Sequence, residues 1–140
     1  MKKLKEYSLV TGIGAVIYSL VEIIFRGYTH WTMTVTGGVT FLALYFMNLR
    51  MKTKSLFLRC VAGSLIITVI EFVVGCLVNL RLKWNVWDYS SRAHNLLGQI
   101  CPLFTVLWFL LCIPATLLCA YLKHRLTGER MKISLKFNWL

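Results

Sequence analysis

The stretch LFLRCVAGSLIITVIEFVVGCLVNL, residues 56–80, decides the fold. As a helix it rises ~1.5 Å per residue, enough to cross the ~30 Å hydrocarbon core of a bilayer. A helix satisfies its own backbone groups and can present Leu, Ile, Val and Phe to lipid on most of its surface. Three further apolar runs flank it, at 8–25, 32–49 and 100–122. The expected architecture is all-α and membrane-integral. Four transmembrane helices form a single domain over 1–140, a structured outer loop lies between helices three and four, and residues 123–140 form a basic cytoplasmic tail.

Composition agrees: 58% of the residues are hydrophobic and only 15% charged. The net charge of +11 does not indicate nucleic acid, because the basic residues flank the apolar runs instead of forming one continuous face. Lys2, Lys3 and Lys5 precede the first run, Arg50, Lys52, Lys54 and Arg59 surround the second turn, and Lys123, Arg125, Arg130, Lys132 and Lys136 follow the last. The other side has Arg26, Arg81, Lys83 and Arg92. The excess of Lys and Arg belongs in the cytoplasm, so both termini are expected there, in a bacterial cytoplasmic membrane protein. The basic start and first apolar run read as a retained signal anchor, since no clear A-x-A cleavage site follows. The five Cys show no CxxC spacing and read as small packing residues, with no disulfide framework and no metal site.

Within the run at 56–80, Cys60, Ser64, Thr68, Glu71, Gly75 and Asn79 recur at helical spacing. Helix one has Thr11, Ala15, Tyr18 and Glu22. Helix two has Gly37, Thr40, Leu44 and Asn48, and helix four has Gly98, Pro102, Thr105, Trp108, Cys112, Thr116 and Cys119. Small and hydroxylated residues let helices approach closely. The carboxylates ask for more, since an ionisable group inside a membrane is expensive and marks function. Either Arg26 or Arg92 caps the two Glu, or they bind a cationic or hydrogen-bonding substrate or a proton. IYSLVEIIFRG around Glu22 also aligns with IITVIEFVVGC around Glu71. That is either a duplicated hairpin, as in some transporters, or the chance similarity of two apolar segments.

Beyond residue 80 comes KWNVWDYSSRAHN, residues 83–95. Trp84, Trp87 and Tyr89 suit an aromatic belt at the headgroups, as do Tyr28 and Trp31 in the first outer loop. Asp88 and Arg92 are four apart and are expected to pair on a short helix. With His30, His94 and Asn95, these groups make up a small-molecule site at the outer mouth. Ser90, Ser91, Asp88 and His94 are hydrolytic residue types, but their spacing forms no triad and no nucleophile elbow surrounds either Ser. No P-loop or dinucleotide motif occurs. The chain is therefore not expected to be an enzyme or to hold a cofactor. The tail MKISLKFNWL, 131–140, alternates apolar and polar residues, as a strand or a disordered basic tail would.

The segment EFVVGCLVNLRLKWNVWDYSSRAHNLLGQICPLF, 71–104, resembles the small bacterial membrane proteins of the putative ABC-transporter type IV family, the CmpB-like group. The resemblance is carried by Glu71, Gly75, Trp87, Asp88, Tyr89, Ser90, Asn95, Leu96, Gly98, Ile100 and Cys101. In the first half Glu22, Arg26, Gly27 and the TGG of 36–38 stand where the family has a second Glu and a Gly/Pro-rich turn, without the Pro. After the Cys, TVLWFLL replaces the family's Trp-Gly pair. The resemblance implies a permease-like subunit partnered with a separate ATPase.

The resulting expectation is a small transporter or transporter subunit that binds a small molecule between its helices near the outer face. The expected ligand-binding residues are Glu71, Trp87, Asp88, Tyr89, Arg92 and Asn95, with Glu22 as partner. Four helices make a thin shell, so a homodimer or a partner subunit is expected beside the lipid bilayer. The alternatives are a sensor or accessory subunit binding a lipid or small ligand and, behind it, a lipid-modifying enzyme.

Overall fold

The computed structural model describes residues 1–134. Four helices follow one another: α1 (Lys2–Arg26), α2 (Trp31–Arg50), α3 (Leu56–Gly75) and α4 (Pro102–Thr127). A π-helical turn, Cys76–Arg81, continues α3. Counting that turn with α3, each helix is long and apolar enough to cross a membrane. The all-α architecture expected from the four apolar runs is the one observed. Among the described residues there are isolated β-bridges but no strand.

Local chemistry sets the helix ends. Gly27 stops α1 in the left-handed conformation (φ 79°) and its N–H bonds the Ile23 carbonyl, a backbone state that costs glycine little. His30 caps α2 through Nδ1, which accepts from the Thr32 N–H at 3.3 Å. Ser55 caps α3 by accepting from Leu58 N–H. Helix four begins at Pro102: proline at the first helical position lacks only an N–H that the helix would leave free anyway. It also runs to Thr127, beyond the Leu122 expected from hydropathy alone.

Helices α1 and α2 form one hairpin and α3 and α4 the other, with α2 bridging the two. The small-residue stripes face each other. Thr68 and Thr105 bond through their hydroxyls at 3.0 Å. Ser19 and Thr34 do the same across the first hairpin at 2.8 Å. A Cβ on Gly63 would come within 2.6 Å of Cys112 Sγ, so the backbone of α3 sits directly against α4.

The start of α1 and the end of α4 lie at one end of the bundle, the terminal end. There Glu6, on α1, accepts from the Tyr45 hydroxyl and from Lys123 Nζ. Arg59 is completely buried. Its guanidinium donates to Asn48 Oδ1, the Lys54 and Lys132 carbonyls and Met131 Sδ. These bonds hold the segment after α4 against the start of α3, where Leu56 N–H donates to the Ser134 carbonyl at 2.9 Å. Met131 and Ile133 are half-buried and Lys132 and Ser134 exposed, so the alternation seen in the sequence holds this far. The remainder of the alternating tail, 135–140, lies outside the described residues.

Candidate functional site

The opposite end of the bundle is closed by the loop of residues 82–101. Its seat is the π-helical turn. Asn79, buried on that turn, accepts from the N–H groups of Val86 at 2.7 Å and Trp87 at 3.4 Å. Its amide donates to Gln99 Oε1 at 2.8 Å. Trp87 lies over α3, with its indole N–H donating to the Gln99 carbonyl at 3.0 Å. Gly75 makes this approach possible: a Cβ there would meet Gln99 Oε1 at 2.7 Å and Trp87 Cζ2 at 2.8 Å. Helix one holds the loop as well, through Arg26 Nη1 and the Val86 carbonyl at 2.8 Å.

The loop's outer part is organised by its own side chains. Asn95 donates to the carbonyls of Arg92 and Ser90 and accepts from Gly98 N–H. Asp88 accepts from Ser90 N–H at 2.8 Å, and this hydrogen bond holds its carboxyl below the usual aspartate range. The expected Asp88–Arg92 pair does not form. Among the described residues Asp88 has no cationic partner within 4.0 Å, since the segment turns instead of forming a helix. The Arg92 guanidinium lies 5.7 Å from the ring centre of Phe104. Four non-glycine residues of the loop, Lys83, Asn85, His94 and Leu97, have positive φ between 48° and 56°. Such conformations persist only where surrounding bonds over-determine them.

Below the loop sit the carboxylates. Glu71 is 8% exposed. Its Oε1 accepts from the Tyr89 hydroxyl at 2.8 Å and its Oε2 from Trp108 Nε1 at 3.0 Å. Among the described residues no Lys, Arg or His nitrogen lies within 4.0 Å of it. Glu22 differs. It accepts from the Tyr18 hydroxyl at 3.1 Å and lies 2.8 Å from Arg26 Nε. The Glu22–Arg26 approach misses hydrogen-bond alignment, leaving an ion pair without a directional bond. Arg26 thus caps one of the two carboxylates, and Arg92 caps neither.

An aromatic layer connects the groups. Tyr89 stacks on Phe104 with ring centres 4.5 Å apart, Phe104 lies 6.0 Å from Trp108, and Trp108 lies 6.5 Å from Tyr18. Burial beside Glu71 pushes the Tyr89 phenol up, so it stays a proton donor. Tyr18 and Trp108 also line an apolar cavity of about 150 Å³ between the two hairpins.

Of the residues expected to bind ligand, Glu71 and Tyr89 are in direct contact. Glu22 belongs to the adjoining cluster through Tyr18. Trp87, Asp88 and Asn95 build the loop itself, and Arg92 sits on its aromatic layer. The loop aromatics divide: Trp84 is 45% and Trp31 64% exposed, as membrane-interface anchors are, whereas Trp87 is buried. Sequence reading missed Gln99 and the site roles of Trp108 and Phe104. Trp108 had a signal, since it shares the small-residue stripe of α4. Gln99 and Phe104 had none.

A family model described as Putative ABC-transporter type IV matches residues 6–140. No curated protein and no solved structure matches the chain. The chain belongs to that ABC-transporter-related family, and it is a multi-pass membrane protein.

Proposed function

From that membership, we propose that the chain is the permease-like, membrane-spanning subunit of a transporter, binding a small molecule between its helices beneath the 82–101 loop. The observation that carries this reading is Glu71. A carboxylate buried in a membrane bundle is costly and is normally paired. This one receives two neutral donors and no cation among the described residues. It is thus the natural recognition group for a ligand, and Tyr89 and Trp108 orient it. The chain has no chemistry of its own to perform in this role and works with a second copy or a separate ATPase subunit. Both termini lie in the cytoplasm of a bacterial cell, with the Lys and Arg of the terminal end, and the loop faces outward.

Thermal-shift screening of the purified protein against small amines, cations and hydrogen-bonding solutes tests the reading. Ligands that stabilise the protein are then followed into proteoliposomes. Glu71→Gln is expected to fold and to lose both stabilisation and uptake. A folded Glu71→Gln protein that binds and moves every ligand as the wild type does would refute it.

A further inference from the structure

We propose that the site takes an amphipathic cation, with its ammonium head at Glu71 and its apolar part in the cavity between the hairpins. This rests on the transport-site reading above and adds the class of substrate.

Charge supplies the first half of the argument. Glu22 already has Arg26 as its cation. Glu71 has none among the described residues. Both Glu71 oxygens accept from donors, the pattern that suits an ionised carboxylate. A cation at this position would supply the missing partner and meet an aromatic layer. Ring faces attract cations within about 6 Å, and the protein itself already sets one on this layer, Arg92 over Phe104 at 5.7 Å.

The cavity supplies the second half. It is lined almost wholly by apolar groups, including Ile17, Leu111, Ala115 and Leu118. Its volume of about 150 Å³ is that of a dry apolar cavity able to hold a benzene ring. Tyr18 and Trp108 belong to both regions. They line the cavity, while the hydroxyl of one reaches Glu22 and the indole nitrogen of the other reaches Glu71. Charge recognition and apolar space are therefore joined through the same two side chains. Ile17, on the cavity wall, is 41% exposed, so the space opens toward the flank of the bundle, where an amphiphile dissolved in the bilayer would arrive.

Calorimetric titration of the full chain in nanodiscs with benzyltrimethylammonium tests this. That probe joins a quaternary ammonium to one benzene ring. Tetramethylammonium, which lacks the ring, is expected to bind roughly tenfold more weakly, and anionic benzylsulfonate not at all. Glu71→Gln should weaken the benzyl probe by at least about tenfold. Ala115→Leu, which narrows the cavity, should reduce the benzyl probe to the affinity of tetramethylammonium and leave tetramethylammonium unchanged. Ile17→Phe is the second cavity variant, and a wild-type melting temperature establishes that each is folded. Equal binding of the two ammonium probes, unaffected by either cavity variant, would overturn the amphipathic class and leave a polar cation site at Glu71. If no cation distinguishes wild type from Glu71→Gln, the proposal and the transport-site reading both fail.

Discussion

Tyr89, on the loop that closes the bundle, donates its hydroxyl to Glu71 inside α3 at 2.8 Å. One bond joins the cover of the site to its charge. Tyr89→Phe keeps the ring on Phe104 and removes only that donor. The loss of a hydrogen bond to a charged group costs about 1.5–3 kcal/mol, so the variant should fold, melt slightly lower and weaken ligand binding by roughly tenfold to a hundredfold. Titration of ligand against both proteins checks it.

Trp108→Phe removes the other donor to Glu71. The carboxylate keeps one partner, and the aromatic layer survives. The expected loss is similar to that of Tyr89→Phe. The double variant should lose more than the sum, because the last donor to a buried carboxylate is harder to forgo than the first. A double-mutant cycle on melting temperature measures the coupling, and strict additivity would count against a shared carboxylate.

Asn79 holds the loop by three bonds. Asn79→Ala leaves two backbone N–H groups and the Gln99 side chain without that partner. A destabilisation of about 2–4 kcal/mol is expected, with faster amide exchange over 82–101 and unchanged exchange in α2. Gly75→Ala should release the same loop by a different route, because its Cβ would enter the space of Gln99 and Trp87.

The Asp88–Ser90 bond predicts a response to acid. The folded loop holds the Asp88 carboxyl below its usual range, so this contribution is present above the unfolded value and is lost as pH falls through the folded one. The protection of the Ser90 amide, taken relative to its intrinsic exchange rate at each pH, should therefore fall on acidification through and below the aspartate range. In Asp88→Asn that acid dependence should be gone.

Arg59 is completely buried and, among the described residues, has no carboxylate partner. Removing one member of a buried hydrogen-bonded network leaves its partners unsatisfied, at a cost of about 1–3 kcal/mol. Arg59→Met should therefore lower the melting temperature modestly, because Asn48 Oδ1 and the Lys54 and Lys132 carbonyls lose their donor, whereas Arg59→Ala adds a cavity and should cost about 2–5 kcal/mol. Both remove the bonds to Lys132 and Met131, so trypsin should cut after Lys132 faster in both.

Much of this molecule was legible in its sequence. Long apolar runs bounded by Lys and Arg have few other solutions, and a Glu in the middle of one such run is conspicuous. The stripe Cys60, Ser64, Thr68, Glu71, Gly75 and Asn79 was readable because helical spacing is local. The loop was not. Asp88 and Arg92 have the spacing of a helical pair, but the helix is absent, since Asn79 on the π-helical turn holds the backbone at Val86 and Trp87 and Asn95 holds it at Ser90 and Arg92. Gln99 carries no periodic signal, and its role exists only once Trp87 has folded over Gly75. In the same way Arg59 reads as one more cytoplasmic charge, because two of its partners, Met131 and the Lys132 carbonyl, come from far along the chain.

The π-helical turn at Cys76–Arg81 has a mechanical meaning. Leu82 N–H reaches back to the Leu77 carbonyl, five residues instead of four, so the turn accommodates one residue more than an α-helix would. Squeezing that residue out would rotate everything beyond it by about 100° around the helix axis. Asn79 and the loop seated on it would turn together, while Glu71, one turn before Gly75, stayed in place. The π-helical turn thus sets the angular register between the carboxylate and its cover.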